Sequence, residues 1–151
     1  MNAPMKSLWQ HDARLEILAR IDRVTPDAKP LWGNMSAGRM LRHLSQSMSM
    51  ASGELPTESK KLPIRYFPLK QLIIYVFPFP KGAPTAPELL MGDDSSVDAA
   101  RDDLHKAIDS FAARRDAASW PEHPAFGKLS VRAWGALTYK HMDHHLRQFG
   151  V

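Results

Sequence analysis

The stretch SVRAWGALTYKHMDHHLRQFG, residues 130–150, decides how this chain folds. Ser130 is of a type whose hydroxyl caps free backbone N–H groups. Leu129 and Trp134 stand at the N′ and N4 positions of a hydrophobic staple, so a helix begins here. Its buried side is marked by Trp134, Leu137 and Thr138, and it is expected to run to about Gln148. Three of the seven histidines crowd into its last turns, at 141, 144 and 145. A helix turns about 100° per residue, so His141 and His145 lie one turn apart and point the same way. That direction continues the buried side, where leucines would be the ordinary choice. His144 flanks the same side and can stand in for either. Asp143 lies about 200° round from His141 and is expected to face away, as a surface residue.

Three other stretches carry helical periodicity. Leu15, Ile17, Leu18, Ile21 and Val24 form an apolar stripe in a helix from Leu8 to about Val24, which Pro26 terminates. A second helix starts at the cap Ser36, with Met35 and Met40 as its staple. It continues through Met40, Leu41, Leu44 and Met48 and ends near Gly53. A third follows the cap-rich GDDSSVD, with Val97, Ala100, Leu104, Ala107, Ile108 and Phe111 on one side. Acidic residues at its start and Arg114–Arg115 at its end suit the helix dipole.

Between the second and third helices, residues 54–95 hold most of the twelve prolines. That density excludes a continuous helix or a central strand. Pro68 is placed to open a short helix through Leu69, Leu72, Ile73 and Val76. The rest is too rich in Tyr and Phe for a disordered linker, and is expected to be an ordered loop wrapping the helices. No internal repeat and no strand alternation stand out. The expectation is one all-α domain over residues 1–151, a four-helix bundle with a long Pro-rich crossover between its second and third helices.

Composition narrows the function classes. With 151 residues, 44% of them hydrophobic and 24% charged, the chain is large enough for one substantial core. It has no cysteine, so a transition-metal site must use nitrogen and oxygen ligands. The formal charge is +4, and the twenty Lys and Arg are scattered. No basic stripe with interleaved aromatics marks a nucleic-acid binder. The N-terminus lacks the apolar core of a secretory signal, and Leu72–Phe77 falls far short of the ~20 residues that span a bilayer. A cytoplasmic protein without membrane segments is expected.

The i, i+4 pair His141/His145 fits either a metal site or hydrogen-bonded core histidines. Three neutral imidazoles are a known way to hold a catalytic Zn²⁺. A third ligand has to come from another helix, and His43 qualifies, at the edge of the inner side of the second helix. His11 and His105 read as surface or boundary residues. His123, preceding Pro124, reads as a turn residue that lines a cavity mouth. Met35, Met40, Met48 and Met50 read as core filling. Lys81-Gly82-Ala83 lacks the strand and helix that frame a phosphate loop. No carboxylate stands at a spacing that marks a general base, and Glu54, Glu58 and Glu122 are only loop candidates.

A histidine on the second helix, followed about a hundred residues later by H-x-x-x-H and a nearby Gln, resembles the DinB/YfiT-like superfamily. LWGNMSAGRMLRHL, PFPKGAPTAPELL and HPAFGKLSVRAWGALTYKHMDHHLRQFG are similar to a branch of it defined as a domain of unknown function. The resemblance spans nearly everything from Leu31 onward. It implies a four-helix bundle, a divalent metal on His43, His141 and His145, and often a homodimer. Where relatives commonly read H-R-G-Q, this chain reads His145-Leu146-Arg147-Gln148, so the ligand spacing survives while the helix surface beyond it differs. Zn²⁺ or Ni²⁺ is the expected ion, with Fe²⁺ and Mn²⁺ also compatible. By the same resemblance, the protein is expected to be a metal-dependent enzyme, a thiol-dependent transferase or a hydrolase acting on a small molecule. Lacking cysteine, it would take any thiol from a cosubstrate. The alternative is a non-enzymatic dimeric helical module whose metal site is structural or vestigial.

Overall fold

A computed structural model describes residues 4–81 and 96–151. In chain order the helices are α1 (His11–Asp22), α2 (Ala37–Ser52), α3 (Leu69–Tyr75), α4 (Val97–Ala113) and α5 (Val131–Gln148). A 3-10 turn, Pro63–Arg65, precedes α3. The described residues form an all-helical structure, with no strand among them. Of the sequence features singled out above, Gly82 to Ser95 lie outside the described residues. They include most of PFPKGAPTAPELL and the first residues of GDDSSVD.

Serines start the three longest helices. Ser36, Ser96 and Ser130 each accept the backbone N–H three residues on, from Arg39 at 3.2 Å, Ala99 at 3.2 Å and Ala133 at 3.1 Å. Each such cap stabilises its helix by about 1 kcal/mol. α2 stops at Gly53, whose φ of +84° is the left-handed conformation that glycine adopts without penalty. α1 has no capping side chain and ends at Asp22, two residues short of the expected Val24. Leu15, expected in its apolar stripe, is 51% exposed. The inward line is Ala13, Ile17, Arg20 and Ile21, and Leu15 stands about 200° from Ile17.

Packing runs in a ring: α1 lies against α5, α5 against α2, α2 along most of α4, and α4 against α1. The core between them is built from Ile17, Ile21, Met40, Leu41, Leu44, Leu104, Ile108, Met142 and Leu146, all fully buried. At one side Trp9 stacks on Phe111 with centroids 4.5 Å apart, and Trp120 packs edge-on to both. Gly135 makes room for this cluster, since a Cβ there would stand 2.3 Å from Cδ1 of Trp9. Arg20 is buried between α1 and α5 and satisfied there by Asp143 at 2.8 Å and the Val151 carbonyl at 3.0 Å. α3, the short helix opened by Pro68, packs on α5 and on the 3-10 turn. It brings the α-helices among the described residues to five, one more than the four of the expected bundle, and lies within the Pro-rich crossover. No helix among the described residues is long and apolar enough to cross a membrane.

Candidate metal centre

The α2–α5 contact brings His43 opposite His141 and His145. The Nε2 atoms of His43 and His141 are 3.0 Å apart. The three ring centroids are 4.7 to 4.9 Å from one another. One ring nitrogen from each of the three lies within 4.8 Å of the other two. Four ligands about 2.1 Å from a tetrahedral ion are separated by about 3.4 Å along each edge. The one pair at 3.0 Å and the 4.8 Å limit on all three lie on either side of that edge, so small ring movements would seat an ion.

Hydrogen bonding orients His145. The Gln148 side-chain Nε2 donates to the Trp32 carbonyl at 2.9 Å, which leaves Oε1 as the acceptor facing His145 Nδ1 at 2.8 Å. His145 therefore carries its proton on Nδ1 and keeps the Nε2 lone pair free. The same Gln148 accepts the Leu31 N–H on its backbone carbonyl, so the 31–32 segment is pinned twice to the end of α5.

Electrostatics favour the neutral form of the two α5 rings. Burial first, then the neighbouring His43, His145, His123 and His144, push the His141 pKa well below its ordinary 6.5. Burial and His43 push His145 down to about 3, against a smaller upward pull from its hydrogen bond to Gln148. Neutral imidazole is the form that ligates a metal.

His144 stands apart from the triad. Its ring lies against Trp32 at 5.7 Å and Phe79 at 5.9 Å, and burial lowers its pKa. Phe79 also approaches His141, at 6.3 Å. This end of the Pro-rich crossover is held down by Lys140, whose ammonium donates to the carbonyls of Ile73 and Phe77 beyond and within the last turn of α3. Lys81 lies over the Trp32 ring at 4.6 Å, so an aromatic rim of Trp32 and Phe79 flanks the imidazoles.

Other singled-out residues go elsewhere. Asp143 pairs with Arg20 and Arg147, on a side of α5 away from the triad, as helical geometry predicts. His105 pairs with Asp22 at 2.8 Å, and His11 is exposed at the start of α1. Glu122 pairs with Arg65 at 3.2 Å. Glu54 lines a groove between α2 and α4 instead of the imidazole cluster. Met40, Met48 and Met50 are buried in the core. His123 sits in the 121–127 turn, against Phe126 and Trp134. Sequence reasoning missed Trp32 and the orienting role of Gln148. Trp32 belongs to no periodic segment, so nothing local marked it. Gln148 was visible as the Gln at i+3 from His145 in the motif, without its hydrogen bond to that ring.

Fold and cluster together define a helical protein with three convergent histidines that could hold a metal ion. The chain belongs to the family described as protein of unknown function DUF1569, whose sequence model matches residues 4–150. No curated protein and no solved structure matches it.

Proposed function

We propose that this protein is a metal-dependent enzyme of the DinB/YfiT-like type, acting in the cytoplasm on a small molecule as a thiol-dependent transferase or a hydrolase. On this reading the ring of four long helices is the four-helix bundle of that type, in one domain. His43, His141 and His145 would hold a divalent ion, Zn²⁺ or Ni²⁺ by the all-nitrogen character of the donor set. The observation that carries the reading is the approach of three ring nitrogens to within 4.8 Å from helices almost a hundred residues apart. Without an ion, His43 and His141 are within hydrogen-bond distance of each other at 3.0 Å, while buried polar nitrogens in general need partners. One shared ion satisfies all three.

When bound, such an ion supplies Lewis acidity to a substrate oxygen or a cosubstrate thiol. The protein's own groups do the rest. Gln148 keeps His145 in the tautomer that ligates, the low pKa values keep the two α5 rings unprotonated, and Trp32 and Phe79 shield the site from water on one side. Metal analysis after incubation with Zn²⁺ or Ni²⁺ tests the first half. Wild type should retain close to one ion per chain, and the His141→Ala/His145→Ala variant almost none. Equal and negligible retention by both would remove the basis for the enzyme. A screen of small thiols with electrophilic substrates on the loaded protein then tests the reaction class.

A homodimer is the second part of the proposal. Tyr66 and Phe67 before α3, and Val76 and Phe77 after it, are between 53% and 80% exposed, and a partner copy could cover them. The alternative, a non-enzymatic dimer, would bury the same surface. Light scattering on wild type and on Phe67→Lys distinguishes monomer from dimer.

A further inference from the structure

His123 is half-buried, like His141 and His145, but used differently. In HPAFG the backbone closes on itself: His123 N–H donates to the Gly127 carbonyl and Gly127 N–H to the His123 carbonyl, both at 2.8 Å. Gly127 takes a φ of +67°, the left-handed conformation such a closure requires. Within the turn, His123 Nδ1 accepts the N–H groups of Ala125 at 3.0 Å and Phe126 at 3.2 Å. A ring nitrogen that accepts two N–H bonds carries no proton, so the neutral ring is protonated on Nε2. Burial, with the Arg65 guanidinium second, pushes its pKa down to about 3, which keeps that tautomer through the neutral and mildly acidic range. The Nε2–H has no acceptor among the described residues and is not sealed in the interior.

The ring stands in the wall of a cavity of about 390 Å³, where the end of α2 meets the 55–59 loop and the 121–124 turn. Such a volume suits a small molecule. Met50, Leu55, Pro56 and Pro121 supply apolar wall. Ser59 Oγ is already engaged by Arg65 at 2.7 Å, and the Glu122 carboxylate is paired with the same guanidinium. Ionic charge around the cavity thus cancels, and a fixed, neutral donor remains. Behind His123 stand Trp134, 5.7 Å away, and Trp120, stacked on Trp134; neither lines the cavity.

We propose that this cavity binds a small uncharged molecule with an apolar body and a carbonyl oxygen, and that the oxygen accepts the His123 Nε2–H. A carboxylate is disfavoured because no unpaired cation faces the cavity and Glu122 would repel it. None of the three triad histidines lines this cavity, although the His123 ring is near enough to His141 to bear on its charge.

Three probes that share one ring test the assignment: cyclopentanone, cyclopentanecarboxylate and cyclopentane, titrated into the full-length protein by NMR. Cyclopentanone should shift the His123 Nε2 and Met50 methyl resonances saturably and bind better than either of the others. His123→Asn keeps an oxygen to accept the Ala125 and Phe126 N–H groups but has no donor where Nε2 was. It should weaken cyclopentanone binding by roughly fivefold to tenfold, the net worth of one hydrogen bond. Leu55→Trp, which fills the cavity, should abolish it. The proposal is overturned if cyclopentanone gives no saturable shift. It is equally overturned if cyclopentane or the carboxylate binds as well, or if a folded His123→Asn variant binds undiminished. Should that variant fail to fold, the three-probe comparison on wild type decides alone.

Discussion

Two half-buried histidine environments in this protein have the same pKa and opposite polarity. At the end of α5, Gln148 takes the Nδ1 proton of His145 and leaves a lone pair facing His43 and His141. In the 123–127 turn, two backbone N–H groups take the Nδ1 lone pair of His123 and leave a proton on Nε2. Burial drives both rings to about 3, so charge does not distinguish them. What distinguishes them is the partner of the other nitrogen. An acceptor behind the ring makes a ligand; a donor behind it makes a donor.

The largest test of this contrast adds metal. If the cluster holds an ion, an excess of about 100 Kd should stabilise the wild type by about 2.7 kcal/mol, or roughly 5–10 °C in Tm. His123→Asn should show the same rise, whereas His141→Ala/His145→Ala should show none. A Tm unmoved in wild type would break the contrast, since both sites would then be core histidines.

Next comes the partner itself. Gln148→Leu removes the acceptor behind His145 and frees its tautomer. Metal affinity should fall roughly 10- to 100-fold with all three ligands in place, read by competition with a chelating dye. Undiminished affinity would mean that Gln148 does not orient the ring.

The pH dependence has a definite sign. Unfolded imidazole takes up a proton near 6.5, whereas folded His123 and His145 do so only near 3, and folded His141 also well below 6.5. In that window the unfolded chain binds more protons. Stability is complete above pH 6.5 and falls as pH drops toward 3, by up to about 1.4 kcal/mol per pH unit for each ring. Urea unfolding of the metal-free protein at pH 7 and pH 5 measures the slope, and His123→Asn should flatten it by one ring's share. A stability independent of pH there would contradict the neutral-ring picture at both places.

The smallest expected effect is a control. Asp143 is adjacent in sequence to the cluster, but its carboxylate serves Arg20 and Arg147. Asp143→Asn should leave metal affinity unchanged and weaken only the α1–α5 contact, seen as a modest loss of Tm.

Much of the frame was legible in the chain because the signals were local. Ser36, Ser96 and Ser130 with the apolar periodicity after each define three helices almost to the residue, and Gly53 and Pro68 mark a stop and a start correctly. The i, i+4 spacing of His141 and His145 put them on one side, and rotation about the helix placed Asp143 away from them. Where signals were weak the reading slipped. α1 has no capping side chain, and its apolar stripe was drawn to include Leu15, which faces solvent. The burial of Arg20 was also invisible, since its satisfaction comes from residues more than 120 positions away.

Helix starts, helix stops and the pairing of two histidines on α5 follow from interactions within a few residues, so the amino-acid order alone determines them. The meeting of His43 with that pair, the placement of Trp32 and Phe79 beside it, and the orientation of the Gln148 amide by the Trp32 carbonyl were decided by tertiary packing. Each depends on groups far apart in the chain, which no local pattern encodes, whereas the partners of His145 and His123 themselves stand only two or three residues away.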